Sequence, residues 1–450
     1  MSSLLKPISG FPEWLPHEQR FFEGWKHIIV RHFQAYGFIP MDTPSVERLE
    51  TLVAKGGDDH EIYGVVRAAE QNASKIELAL RYDLTLPLAR YVAQHQGQLV
   101  FPYRRYHMAP VWRGERPQEG RFRQFIQCDI DIIGRETLSP LYDAEVIAIM
   151  WELLHKLEIS PVRVLLNHKK IPLAWIQKAG ISQEAEALRL MDKRGKIEDS
   201  AILEGLGALG AHPSALGLLE GLMQNNASWE ALMAILLRSD LGEGCQEGLR
   251  EITTLLATLH HMGVPQEGVV VDPLLVRGLT YYTGPLYEFV LPEHRGMGSI
   301  CAGGRYGHLA ESFSKKAFPG VGISLGLTRL FSAMKSRAPL RSTPADCLIT
   351  VQEPDALPYY LAVARLLRQA NLYTEVYLNG DSLKTQLHYA NRLGFSWVLM
   401  ANQEEIANHQ VTLKHMKTGL QHRVKQEEAA SYLLGQATTY AKLECEGGGA

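Results

Sequence analysis

The sequence is poor in cysteine. Its five cysteines stand at 128, 245, 301, 347 and 445. The number is odd and no two share a C-x-x-C spacing, which argues against both a disulfide framework and a thiolate zinc centre. A surplus of basic charge is also missing. The 46 Lys and Arg against 49 Asp and Glu give a formal net charge of −3. With no global positive field, any nucleic-acid contact must rest on local patches. No run of 18 apolar residues is present, and Met1 to Lys6 is too short and polar for a secretory signal. The expectation is a cytoplasmic chain with no membrane partner. Familiar nucleotide and hydrolase loops are missing too. There is no G-x-x-x-x-G-K-[ST], no G-x-G-x-x-G between a strand and a helix, no H-E-x-x-H and no G-x-S-x-G.

What is there is ordinary globular composition. The 450 residues are 46% hydrophobic and 21% charged, which fits two to four folded domains and excludes fibrous or disordered classes. Residues 16–36 read as a helix, because Phe21, Phe22, Trp25, Ile28, Ile29, Phe33 and Tyr36 recur at three- and four-residue steps. Residues 77–85 alternate as a strand, with Leu78, Leu80, Tyr82 and Leu84 on one side, and a helix should follow with Pro87 near its start. Two long strands over 102–134 flank a polar loop at Gly114–Gly120, and a short loop implies an antiparallel pair. In the second strand Ile126, Cys128, Ile130 and Ile132 form one face; Phe125, Gln127, Asp129 and Asp131 form the other. Residues 170–262 read as an inserted module of short helices. Strands return at 268–272, 286–291, 298–303 and 320–325, the last running into a helix from Leu327. Lys335–Pro344 reads as a linker. Beyond it, strands at 347–351, 373–378 and 396–400 alternate with helical patterns, which predicts a small α/β domain closed by a hairpin near 410–424 and a helix near 426–435.

Three stretches carry chemistry. Tyr103–Arg123 holds six arginines against two glutamates in a chain of net charge −3. Arginine suits bidentate contact with phosphate, although a solvated charged loop is the plain alternative. Asp83, Thr85, Gln127 and Asp131 lie on strand faces that either meet water or floor a site for a cationic amine or imidazole. Val276–Gly284 joins Arg277 to the adjacent tyrosines Tyr281 and Tyr282, and Gly320–Arg329 is a small-residue strand leading to an arginine on a helix.

Together these stretches resemble the class II aminoacyl-tRNA synthetases, and specifically the histidyl-tRNA synthetase family. Pro44 falls where the class has its dimer-interface proline, and the apolar face of helix 16–36 with the Pro44 segment is expected to form a two-fold dimer interface. Val111–Phe125 resembles the second class motif and Gly326–Leu330 the third. Arg81-Tyr-Asp-Leu-Thr85 and Arg277-Gly-Leu-Thr-Tyr-Tyr282 resemble the two histidine-binding signatures. The resemblance implies an α+β fold: a six-stranded antiparallel sheet flanked by helices, a helical insertion, and a C-terminal α/β anticodon-binding domain. It divides the chain into a catalytic core over 1–169 and 263–334, the insertion at 170–262, and the anticodon-binding domain at 345–440. It implies ATP-dependent ligation of L-histidine to tRNA(His) by a homodimer, with Mg²⁺ on the ATP and no zinc.

The resemblance also implies roles. Asp83, Leu84 and Thr85 hold the histidine amino end, and Gln127, Asp131, Tyr281 and Tyr282 surround the rest of that substrate. Arg113 and the catalytic Arg277 meet the α-phosphate. Glu115 and Phe125 meet adenine, Arg121 and Arg329 the triphosphate, and Arg116 and Gln118 the tRNA acceptor end. Two positions depart from the pattern: Thr280 replaces a usual aspartate, and Thr328 a common acidic residue. Residues 345–450 carry nine Lys and Arg against eleven Asp and Glu, so anticodon contact would need hydrogen bonds and stacking. The alternative is a non-catalytic, histidine-binding regulatory subunit of ATP phosphoribosyltransferase. That family usually lacks the C-terminal domain and loses site residues, whereas Arg113, Arg277 and Arg329 are present here.

Overall fold

The computed structural model describes residues 5–54, 61–69, 76–118, 120–195, 197–224, 228–276, 282–307 and 310–436. The chain divides into two compact units, Met1–Glu13 with Trp25–Met334 and Trp14–Gly24 with Lys335–Ala450. Up to residue 95 the elements are α1 (Pro16–Ala35), β1 (Ile39–Pro40), β2 (Val46–Arg48), α2 (Leu49–Val53), β3 (Gly64–Val65), β4 (Leu78–Leu80) and α3 (Thr85–His95). Then come β5 (Tyr103–Trp112), β6 (Gln124–Ile133), α4 (Leu141–Lys156) and β7 (Arg163–His168). Six helices follow: α5 (Lys170–Lys178), α6 (Glu184–Met191), α7 (Asp199–Ala208), α8 (Pro213–Gln224), α9 (Trp229–Arg238) and α10 (Glu243–His261). The stretch ends with β8 (Val269–Val271), β9 (Tyr282–Val290), β10 (Ser299–Tyr306), β11 (Gly320–Gly326) and α11 (Leu327–Met334).

The main sheet of the first unit has the order β1-β5-β6-β11-β10-β9-β7-β8. Its six central strands are antiparallel throughout, as expected. The sheet is larger than expected, because β1 adds to β5 and β8 adds to β7, both in parallel. The alternation in β6 is obeyed: Cys128, Ile130 and Ile132 are fully buried. Helices α4 and α11 pack on that side. Val146, Ile147, Met150 and Leu153 of α4 lose all contact with water, each contributing roughly 1.5–3 kcal/mol relative to exposure. Helices α5–α10 belong to the same compact unit as the sheet, and α10 packs on α4, α5, β7 and β9.

Two local expectations are corrected. The strand read over 77–85 is only three residues long, and its buried side is Ala79 and Arg81, while Leu78 is exposed. Tertiary bonds decide this: Arg81 Nη1 donates to the Thr43 carbonyl at 2.5 Å and Nε to the Pro110 carbonyl at 3.0 Å. The chain then turns, and Thr85 begins α3. The apolar face of α1, expected at a dimer interface, lies inside the chain instead. Ile29 and Phe33 are fully buried, Trp25 meets Phe331 edge-on at 5.6 Å, and Phe33 packs on Phe38 and Tyr106. On the small sheet β2-β4-β3, Val46 and Leu78 are exposed, as are Ile39 and Val100 elsewhere in the unit.

The second unit contains β12 (Cys347–Ile349), α12 (Leu357–Gln369), β13 (Thr374–Val376), α13 (Leu383–Leu393), β14 (Trp397–Met400), α14 (Gln403–Ala407), β15 (Gln410–His415), β16 (Gln421–Lys425) and a helix over 429–436. Its sheet has the order β13-β12-β14-β15-β16, parallel around β12 and antiparallel from β14 onward. Strand β14 is buried along its length, as a strand covered on both faces must be. One face packs on Tyr360, Val363 and Leu367 of α12, the other on Ala390 of α13 and on Phe395. The Asn402 side chain caps α14 and Glu405 returns the bond, which satisfies two backbone N–H groups reciprocally. The stretch read as a linker is tied down here. Ser342 and Thr343 both donate to the Leu393 carbonyl, and Arg341 binds the Thr343 and Ala345 carbonyls.

Candidate active site

Strand register assembles one polar face on the main sheet. Arg105, His107, Ala109 and Val111 of β5 stand opposite Asp131, Asp129, Gln127 and Phe125 of β6. Across the next gap, Gln127, Asp129 and Asp131 stand beside Gly326, Ser324 and Gly322 of β11. Beyond them lie Ala302 and Gly304 of β10. Small residues therefore pave the middle of the floor. A Cβ on Gly322 would collide with the Asp131 carboxylate, and one on Gly304 would come within 2.9 Å of the Tyr282 ring.

The two central aspartates differ sharply. Asp131 Oδ2 pairs with Arg105 Nη2 at 2.6 Å, and its Oδ1 accepts from the Tyr306 hydroxyl at 2.6 Å. Arg105 is itself fully buried and also donates to the Leu84 carbonyl at 3.3 Å. Asp129 is 4% exposed, and its buried Oδ1 has no hydrogen-bond partner. Burial, reinforced by Asp131 and Asp83 and opposed by the Arg105 charge and a hydrogen bond from the Ser324 side chain, pushes its carboxyl up to about 7. Gln127 presents a buried Oε1 that likewise has no partner.

Asp83 reaches the same region from the start of α3. Its Oδ1 accepts from the Leu86 N–H at 3.2 Å, which ties it to the helix N-terminus. Burial raises its pKa, while that bond and the charges of Arg113 and Arg105 oppose the rise. Leu84 is fully buried and Thr85 half-buried at the first helical position. Arg113 follows the end of β5. Its Nε donates to the Tyr82 carbonyl at 3.1 Å, and its guanidinium lies over the Phe125 ring, 5.1 Å from the centroid. Glu115 and Arg121 pair with each other across the loop, while Arg116 and Gln118 are exposed on it. Gln118 and Arg121 exchange backbone bonds that fold the loop into a tight turn. From α11, Arg329 donates to the Gly120 carbonyl at 2.8 Å and the Ser299 carbonyl at 2.9 Å. Tyr282 opens β9, half-buried and opposite Tyr306 of β10. Guanidinium groups at the loop end and carboxylates along the floor suit a ligand with both phosphate and ammonium or imidazole groups.

Comparison with known proteins gives this face a family. A profile described as histidyl-tRNA synthetase matches residues 10–330. The chain belongs to the histidyl-tRNA synthetase family. A second profile, described as an anticodon binding domain, matches residues 346–436. The chain is 35% identical over 434 residues to a histidine-tRNA ligase of Clostridium tetani, covering 95% of this chain and 98% of that one. It is 37% identical over 464 residues to one from Xanthomonas oryzae, covering 96% and 98%. Among solved structures, a histidyl-tRNA synthetase from Nostoc aligns with a TM-score of 0.84 at 35% identity, over 96% of this chain and 99% of that one.

The structure brings together Asp83, Leu84, Thr85, Arg113, Phe125, Gln127 and Asp131 around the polar face of the main sheet. Arg277, Tyr281 and Thr280 lie outside the described residues. The departure at Thr328 has a local role: its buried hydroxyl accepts from the Ile126 N–H at 2.8 Å and ties α11 to β6. The reading from sequence passed over Arg105, Tyr306 and Asp129 as site residues. For Asp129 the signal was present, since it alternates in phase with Gln127 and Asp131. Arg105 and Tyr306 become visible only through strand register. Among the described residues, no group of three or more His, Cys, Asp or Glu could hold a metal ion.

Proposed function

We infer that the chain ligates L-histidine to tRNA at the expense of ATP, through a histidyl-adenylate. The observation that carries this is near-full-length identity of 35–37% to histidine-tRNA ligases, with the catalytic and anticodon-binding parts in one chain. In the first step a carboxylate oxygen of histidine attacks the α-phosphorus of ATP, and the bond to the bridging oxygen breaks to release pyrophosphate. Charge builds on the phosphate oxygens, so fixed guanidinium groups lower the barrier without any side-chain nucleophile. In the second step a terminal ribose hydroxyl of the tRNA attacks the adenylate carbonyl and AMP departs.

The residues divide this work as follows in our reading. Arg113 and Arg277 bind the α-phosphate, and Arg277 is the catalytic arginine. Phe125 stacks on adenine beside Glu115, while Arg121 and Arg329 take the outer phosphates. Mg²⁺ enters with the nucleotide and offsets the triphosphate charge. Asp83, with Thr85, holds the histidine ammonium, and Gln127, Asp131, Tyr281 and Tyr282 enclose the remainder. Arg116 and Gln118, exposed on the loop, meet the acceptor end of tRNA(His), and residues 345–440 bind the anticodon. The catalytic core is 1–169 with 263–334, interrupted by the insertion at 170–262. A homodimer forms through the outward apolar face of β2-β4-β3 near Pro44. The place of work is the cytoplasm, and no described helix is long and apolar enough to cross a membrane.

The regulatory-subunit reading is the weaker one, because a separate anticodon-binding profile covers residues 346–436. Histidine-dependent exchange of pyrophosphate into ATP, followed by charging of tRNA(His), tests the assignment. Histidine binding with neither activity would favour the regulatory reading.

A further inference from the structure

We propose that Arg194, in the helical stretch between β7 and β8, is a positioning residue for adenylate formation. It acts through Asp272 on the chain that leads into Arg277. The proposal rests on the reading of Arg277 as the catalytic arginine, and it gives those helices a part in a step that needs no tRNA.

Residues 272–276 lie outside every helix and strand, yet Leu274, Leu275 and Val276 are buried. With no ladder of strand bonds, this stretch is placed by individual contacts. The Asp272 N–H donates to the Leu166 carbonyl of β7 at 2.9 Å. Asn167, fully buried on the same strand, donates through Nδ2 to the Pro273 carbonyl at 3.0 Å and the Leu275 carbonyl at 2.8 Å. Two acceptors on one amide nitrogen fix its orientation. Asp272 closes the turn itself. Its Oδ1 accepts from the Leu274 N–H at 3.0 Å, and its carbonyl accepts from the Leu275 N–H at 2.9 Å. The residue after Val276 is Arg277.

Arg194 reaches Asp272 from the loop between α6 and α7. Its Nη1 lies 3.0 Å from both carboxylate oxygens, and its Nη2 donates to the Met223 carbonyl of α8 at 3.4 Å. The carboxylate that caps the turn is thereby anchored to two helices far from it in sequence. Without Arg194 the carboxylate keeps its bond to Leu274 but loses the group that fixes its direction. The turn gains freedom just ahead of a group whose misplacement by roughly 1 Å can cost about 100-fold in rate. The Arg194 and Asp272 side chains are 29% and 25% exposed, so replacing either opens no cavity in the core.

The test uses the full-length protein and histidine-dependent pyrophosphate exchange without tRNA. Arg194→Ala should lower kcat by about 10-fold and change the KM for histidine and for ATP by less than about twofold. Arg194→Lys, which keeps the charge, should recover part of that loss. The same change is then made in Arg277→Ala. A residue that acts only through Arg277 should add less than about twofold there. An unchanged kcat in folded Arg194→Ala, or a full further loss in the Arg277→Ala background, would overturn the proposal while the catalytic assignment stands. Should Arg194→Ala not fold, Asp272→Asn takes its place in both arms, since it keeps an acceptor for the Leu274 N–H but weakens the pair. Wild-type exchange in Arg277→Ala alone would instead remove the reading on which the proposal rests.

Discussion

The buried carboxylate of Asp129 should leave a pH signature on stability. Its ordinary pKa of 3.8 is raised to about 7 in the folded chain, chiefly by burial. Below 3.8 the group is neutral in both states and has no effect. Between those values the unfolded chain has lost the proton that the folded chain keeps, so stability falls as pH rises. Above about 7 the loss is complete. At 1.36 kcal/mol per unit, the roughly three-unit shift sets a ceiling of about 4 kcal/mol. Asp129→Asn removes this dependence. The amide's own desolvation does not vary with pH, so the stability gain over wild type should be about 3 kcal/mol larger at pH 8 than at pH 5. With two compact units in the chain, a single unfolding midpoint would mix their transitions. Amide hydrogen exchange of the β6 peptide reports the local opening free energy instead, and comparing variant with wild type at each pH cancels the intrinsic exchange rate. A variant-minus-wild-type difference equal at pH 5 and pH 8 would show that Asp129 is not a desolvated carboxylate.

Three further outcomes are expected. Arg277→Ala should cost about 2–4 kcal/mol in the adenylation step, read by single-turnover kinetics, and Arg277→Lys should not restore it because a point charge lacks the fork; wild-type rates in the alanine variant would show that the catalytic arginine is misplaced. His168 and Lys170 hold the pKa of Glu251, ordinarily 4.5, down to about 2, the His168 hydrogen bond being the largest cause. That contribution is present above about 4.5 and fades as pH falls toward 2. Because Glu251 is partly exposed, Glu251→Gln should cost only about 1 kcal/mol at pH 7, and acid titration of both proteins should show the difference closing near pH 2. Thr328→Val leaves the Ile126 N–H without its acceptor and should destabilise the first unit by about 1–3 kcal/mol, whereas Thr328→Ser should behave as wild type in the same exchange experiment.

Much of the fold was legible because periodicity and burial agree. Strand β6 alternates, and its apolar positions Cys128, Ile130 and Ile132 are fully buried, although Asp129 and Asp131 on the other face are buried too. The change of period beyond residue 344 likewise marks a second sheet, with β12, β13 and β14 close to where the sequence puts them. Expectations failed where a side chain contradicts its type. Arg81 reads as a solvent-facing residue of an alternating strand, yet it is 2% exposed because the Thr43 and Pro110 carbonyls receive its guanidinium. Those partners lie 38 and 29 residues away, beyond any local window. Ile29 and Phe33 on α1 read correctly as apolar, but periodicity says only that a face is buried, not against which partner.

The candidate site shows the same boundary at finer scale. Asp129 and Asp131 share a residue type, a strand and a face, so alternation gives them one reading. What separates them is a phenol 175 residues further along and a guanidinium on the neighbouring strand. Those two groups hold both oxygens of Asp131 and oppose the rise that burial gives its pKa. Asp129 has that acid as a neighbour, and its Oδ1 has no hydrogen-bond partner. Arg105 is therefore the residue through which the two environments are divided. Removing its charge would free Asp131 and raise its affinity for a proton, and a protonated Asp131 could no longer act as an anionic strut. A site of this kind can be recognised from sequence motifs, but the surroundings of each carboxylate are decided by the strand pairing.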